Sequence, residues 1–280
     1  MSYRSLVWVP IVVALFFLGG ELALGPSSQA LAIRVEVELA KVLWLLGALA
    51  AARVFEAGDY LRRGWLLIAV GVALFFVRDA TQIPAIQAAL PATSLGVLRG
   101  ILVVSGNVSH VSGVWVLSRV WSAAGLDDAV RGQRRFLFIA AIAPLAVLTG
   151  PSIAHDTASA LSGNLEAVPH LASDLGDAVT FMLLAAFVRT ALALRGGVVF
   201  WTWLLFAAGQ VAWMLFDGAR TLTELFGASS FSPPLVESLR VVGAVYFCAA
   251  GLAQRWVVSA RFPVEVPRPV GVLDDPGKLA

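Results

Sequence analysis

The chain has 280 residues, 59% of them hydrophobic and 14% charged, with a mean hydropathy of +0.84. About a quarter of an ordinary soluble domain is charged, so this chain lacks the side chains that would cover a water-facing surface. The composition excludes a soluble globular protein and specifies an all-α integral membrane protein. The net charge of +2 and the pI near 9.0 come from basic residues scattered over loop ends, not clustered on one face, which excludes nucleic acid as a partner. A single cysteine, Cys248, excludes an intrachain disulfide, a CxxC redox centre and a thiolate metal cage.

A helix that crosses a bilayer needs about 20 predominantly apolar residues. Eight windows satisfy this in chain order: 6–24, 38–57, 64–79, 96–119, 135–151, 171–190, 198–217 and 239–259. The first, with Arg4 before it and Ala30-Leu31-Ala32 after it, has the outline of a cleaved signal peptide. An internal duplication argues that it is retained. Read alternately, the loops sort by charge. Arg4, Arg62, Arg63, Arg131, Arg134, Arg135, Arg195, Arg261, Arg268 and Lys278 fall on one side, whereas the loops 25–37, 80–95, 152–170 and 218–238 hold chiefly Arg34 and Arg220. The positive-inside bias then puts both termini in the cytoplasm and the chain in the cell (inner) membrane as a multi-pass protein. The tail, 261–280, has four prolines and no apolar period and reads as a flexible cytoplasmic end.

The duplication appears on self-comparison. Trp65-Leu66-Leu67-Ile68-Ala69-Val70-Gly71 through Asp79 aligns without a gap on Trp203-Leu204-Leu205-Phe206-Ala207-Ala208-Gly209 through Asp217. In the same order Gly25-Pro26-Ser27 recurs as Gly150-Pro151-Ser152, Leu61-Arg62 as Leu194-Arg195, Leu98-Arg99 as Leu239-Arg240, and Trp115 as Trp256. Windows one to four therefore repeat as windows five to eight, in units 1–124 and 133–260. Each unit has an even number of spans, so the two are parallel and related by a pseudo-twofold axis along the membrane normal.

Charged residues within a span cost at least about 2.5 kcal/mol on insertion scales and mark candidate functional positions. The repeat aligns Lys41 with Asp174 and Glu56 with Arg189, opposite charges in both cases, which gives two expected ion pairs between the halves. Asp79 and Asp217 end the third and seventh windows where Arg99 and Arg240 begin the next, so Asp79–Arg99 and Asp217–Arg240 are expected to close the outer hairpins.

The fourth window carries polar residues at its middle. Asn107 and His110 stand three apart and can address one cavity, with Ser109 between them; Gln210 is the other mid-span polar residue. These four are the candidate binding residues. His170, Asp174 and Asp177 follow i, i+4, i+7 and form a weak candidate site for a divalent metal at the outer face. No HExxH, GxSxG or phosphate-binding loop is present. The leading expectation is a transporter or channel for a small polar solute or ion, with its site between the repeats near the middle of the fourth window. Behind it stand a non-catalytic subunit or scaffold of a larger membrane complex and an intramembrane metal-dependent hydrolase. The expected partners are the lipid bilayer and, for the scaffold reading, further copies or other membrane proteins.

Overall fold

The computed structural model describes residues 3–119, 149–164, 167–226 and 232–261, with isolated positions at 142, 146 and 147. These residues form helices and no strand. In chain order the helices are α1 (Tyr3–Leu22), α2 (Pro26–Ala52), α3 (Tyr60–Ala80), α4 (Pro84–Ala89), α5 (Ala92–Ser118), α6 (Gly150–Leu161), α7 (Ala167–Ala193), α8 (Val199–Phe226) and α9 (Pro233–Arg261). Local chemistry sets several boundaries. Pro26 and Pro84 occupy the first turns of α2 and α4, where the missing N–H costs nothing. Asp59 caps α3 by accepting a 2.7 Å bond from Leu61 N. Gly58 before α3 and Gly196 before α8 take positive φ, 109° and 90°, and so supply turns that other residues resist.

Six helices, α1, α3, α5, α7, α8 and α9, are long and apolar enough to cross a membrane, as in a multi-pass membrane protein. The expected second window differs. The helix there starts at Pro26 and ends at Ala52, so the segment 25–37, expected as a loop, is almost wholly helical; Arg34, Glu36 and Glu38 crowd its first half, with Lys41 just past its middle. The expected loops 80–95 and 152–170 likewise contain α4 and α6. An apolar window stops at the first charge, but the backbone hydrogen-bond ladder does not, which is why the helices outrun the windows. Most of the fifth window, 135–151, and the tail from 262 lie outside the described residues.

Packing follows a closed circuit. α2 packs on α3, α3 on α5, α5 on α7, α7 on α8, α8 on α9, and α9 returns to α2. α1 lies outside against α9, and α6 lies along α7. Without a hydrophobic drive between helices in lipid, small residues set how closely they approach. At the α3–α5 seam a Cβ on Gly113 would stand 2.7 Å from the Gly64 carbonyl, and one on Gly71 2.9 Å from the Gly106 carbonyl. At the α9–α2 seam a Cβ on Gly47 would stand 2.5 Å from the Cys248 Cα.

The middle of the ring is filled by aromatic side chains. Trp44 of α2 stacks on Phe247 of α9 at 4.4 Å, Phe247 meets Phe206 of α8 at 5.1 Å, and Phe206 meets Phe187 of α7 at 4.7 Å and Trp65 of α3 at 5.9 Å. These contacts tie five of the six ring helices together. The outward faces carry exposed apolar residues such as Trp8, Phe16, Val70, Ile101 and Val108, the surface a lipid bilayer requires.

Candidate functional site

On one side of the aromatic layer the ring encloses a cavity of about 150 Å³. It is lined by the middles of α2 and α5, the first halves of α7 and α9, and the last halves of α3 and α8. Trp44 and Phe247 belong both to the layer and to the cavity wall, so the layer is the cavity's floor.

Cations come from three neighbouring helices. Lys41 of α2 is 3% exposed; its Nζ donates to Glu38 Oε1 at 2.7 Å and to Asp79 Oδ2. Arg78 of α3 donates through Nε to Asp79 Oδ1 at 2.6 Å. Arg240 of α9 bonds Glu237 at 3.2 Å, stands 3.9 Å from Asp79, and lies over the rings of Phe216 and Trp213 at 5.3 and 5.9 Å. Lys41, Arg78 and Arg240 line the cavity; Arg78 and Arg240 also line an adjoining groove of about 330 Å³ between α2, α3 and α9, together with Arg34, Glu38, Asp79 and Glu237. Asp177 of α7 and Asp217 of α8 line the facing part of the ring, where their carboxyl groups meet, with Arg220 one turn beyond Asp217.

Several polar atoms of the wall find no hydrogen-bond partner among the described residues: His110 Nδ1, Gln210 Nε2, Arg240 Nε, Trp44 Nε1 and Asp217 Oδ2. His110 is 7% exposed and Gln210 4%. Each of these atoms is buried behind the cavity surface, and an orphaned buried polar group costs roughly 1–3 kcal/mol.

No family model, no curated protein and no solved structure matches this chain. The function must be argued from the cavity.

Of the residues that the sequence singles out for binding, Asn107, His110 and Gln210 line the cavity. Asn107 donates to the Val103 carbonyl at 3.0 Å, and its side chain fills the space beside Gly176 of α7. Ser109 does not line it; its hydroxyl donates to the Leu67 carbonyl of α3 at 2.8 Å and belongs to the α3–α5 seam. The expected ion pairs are rearranged. Lys41 bonds Asp79 and Glu38, not Asp174, because the ring sets α2 beside α3; Asp174 instead accepts from Ser152 of α6 at 2.5 Å. Arg99 bonds Thr81 twice, at 2.8 Å to its hydroxyl and its carbonyl, and leaves Asp79 to Lys41 and Arg78. Glu56 is exposed in the turn after α2, and Arg189 lies within α7. Asp217 and Arg240 do share the cavity. His170, Asp174 and Asp177 do not converge: His170 is exposed, Asp174 is engaged by α6 and Asp177 turns into the cavity. Among the described residues no three His, Cys, Asp or Glu side chains are grouped to hold a metal ion.

Sequence reasoning overlooked Trp44 and Arg78 as parts of the site. Trp44 stands one helical turn from Lys41, a cation inside a span, and that spacing was the available signal.

Proposed function

We propose that the protein is a carrier that moves a small polar solute across the cell (inner) membrane, binding it in the cavity between α2–α3–α5 and α7–α8–α9. The gathering of ionisable and polar side chains from α2, α3, α5, α7, α8 and α9 around one cavity carries this reading, because such groups inside a membrane protein mark a path for a polar solute. The aromatic floor supplies the barrier that a carrier needs on the far side of its bound solute. The two sets of three helices are read as the halves of a duplication, with both termini cytoplasmic and the cavity facing outward. Three observations support the duplication. The contact circuit maps onto itself when α2, α3 and α5 are exchanged for α7, α8 and α9. The positive-φ glycines Gly58 and Gly196 stand in corresponding turns. Gly71 closes on Gly106 and His110 of α5 as Gly209 closes on Phe247 and Gly243 of α9.

The test uses Ser173, a cavity-lining residue of α7, changed to cysteine in a Cys248→Ala background. A membrane-impermeant maleimide is applied from each side of sealed vesicles. Labelling from the outer side alone is expected. Absence of labelling from both sides in the folded protein would mean a dry core and would return the protein to the scaffold reading.

A further inference from the structure

We propose that the carrier is coupled to protons and that Asp177 of α7 and Asp217 of α8 together hold the coupling proton. This inference rests on the carrier reading and names its coupling ion.

The two side chains hydrogen-bond to each other. An ionised carboxylate only accepts, so a bond between two carboxyl groups exists only when one of them carries a proton. Asp217 Oδ2 is buried and meets no N–H or O–H donor among the described residues, and the shared proton is the donor it lacks. Both residues line the cavity, which gives that proton a way to water. Ionisable groups placed like this inside spans are the parts from which transporters build proton relays.

Gln210 points the same way without belonging to the acidic group. It is 4% exposed and stands two turns before Asp217 on the same face of α8. With both aspartates it lines a second space, of about 10 Å³, between α7 and α8, and its Nε2 has no hydrogen-bond partner among the described residues. A buried donor of this kind is matched to the pair after the proton has left, when the two carboxylates offer a lone pair that the proton had occupied.

The register of the repeat shows how this half departs from the other. Asp217 is the equivalent of Asp79, which receives Lys41 and Arg78 directly. The equivalents of those two cations are Asp174 and Phe216. A fixed ion pair in one half thus loses both of its direct cations in the other, and a second carboxyl group takes their place. Arg220 of α8, Arg240 of α9 and Asp174 of α7 act on Asp217 electrostatically, Asp156 of α6 and His170 of α7 act on Asp174, and His110 of α5 lines the same cavity.

When the pair discharges, the O–H bond of the protonated partner breaks, the proton passes to water in the cavity, and the electron pair stays on the carboxylate. In the ring α2 and α3 stand across from α7 and α8, and Lys41 and Arg78 line the cavity from there. The added negative charge draws these walls together, so loss of the proton narrows the cavity and its uptake opens it. Two conformations that differ in proton affinity are what coupling requires.

The full-length protein in lipid vesicles is titrated from acid to alkaline pH while the infrared carbonyl band of protonated carboxyl groups is followed. A component that vanishes as the pH rises, and that is missing from Asp177→Asn and from Asp217→Asn, is expected. If one substitution prevents folding, the other is read alone. A second measurement needs neither: Ser173→Cys in the Cys248→Ala background is labelled with impermeant maleimide over the same pH range, each rate being divided by that of the denatured chain at the same pH. This relative rate should fall at least about fivefold as the component vanishes. A missing component, or one that a folded variant keeps unchanged, overturns the shared proton and leaves the carrier reading standing. A relative rate that stays constant while the component titrates overturns the coupling and also leaves the carrier. No labelling from either side at any pH overturns both.

Discussion

Asp79 receives Lys41 and Arg78 directly and Arg240 at 3.9 Å, so three helices of the ring depend on one carboxylate. Removing one member of a buried pair costs about 3–5 kcal/mol, because the other charge stays behind. Lys41→Met is expected near the lower end of that range, since Asp79 keeps Arg78, and Lys41→Met with Asp79→Asn should recover part of the loss. Melting of the three variants in detergent checks this; equal destabilisation by the single and double variants would show that the two groups are uncoupled. Both charges were legible in the sequence as ionisable residues inside apolar windows. Their pairing was not, because the register of a repeat says which residues are equivalent and not which are neighbours. The glycines permit a similar contrast. A Cβ on Gly251 would fall on the Gly47 carbonyl, whereas one on Gly96 would meet nothing within 4 Å. Gly251→Ala should therefore cost at least about 1–3 kcal/mol by overpacking, and Gly96→Ala should gain about 0.5–1 kcal/mol from helix propensity. The same melting assay separates the two signs.

Helix α6 shows where the linear pattern runs out. Most of it read as an outer loop, the segment Gly150–Leu161 forms twelve residues of helix with Pro151 in the first turn and lies along α7. Ser152 fixes it there by donating to Asp174. A bond to a charged acceptor contributes about 1.5–3 kcal/mol, so Ser152→Ala should loosen α6 while the ring stays intact. Hydrogen exchange across 150–161 is expected to speed up, with exchange in α3 and α5 unchanged; a uniform change would place α6 inside the cooperative core. The positions of α3, α5, α7, α8 and α9 were legible from long apolar runs with charges at their ends. α2 was legible only in its second half. Its first half is polar, and it is helical because Pro26 starts it and its neighbours in the ring, α3 and α9, hold it.

The circuit of six helices and its aromatic floor make one object of the chain. No local signal announces it. Trp44, Trp65, Phe187, Phe206 and Phe247 are scattered over more than two hundred residues and meet only because the circuit closes. Phe247 touches Trp44, Phe206 and the His110 ring, so Phe247→Ala should cost about 3–5 kcal/mol and perforate the floor. A passive leak of small polar solutes from proteoliposomes containing this variant, absent from the parent, is the expected result; tight vesicles would show that the barrier lies elsewhere.

The two seams that join the three-helix sets are not alike. At α9–α2 backbone rests on backbone, with Gly47 against Cys248 and Gly251, and neither helix can slide or part there without losing that fit. At α5–α7 the close contacts are made by side chains, Asn107 against Gly176 and Pro169 against Gly100, and not by backbone on backbone. Relative movement of the halves would then resemble a clamshell, with its spine along α9–α2 and its lips along α5–α7. Paired spin labels should report a broad distance distribution across the lips and a narrow one across the spine.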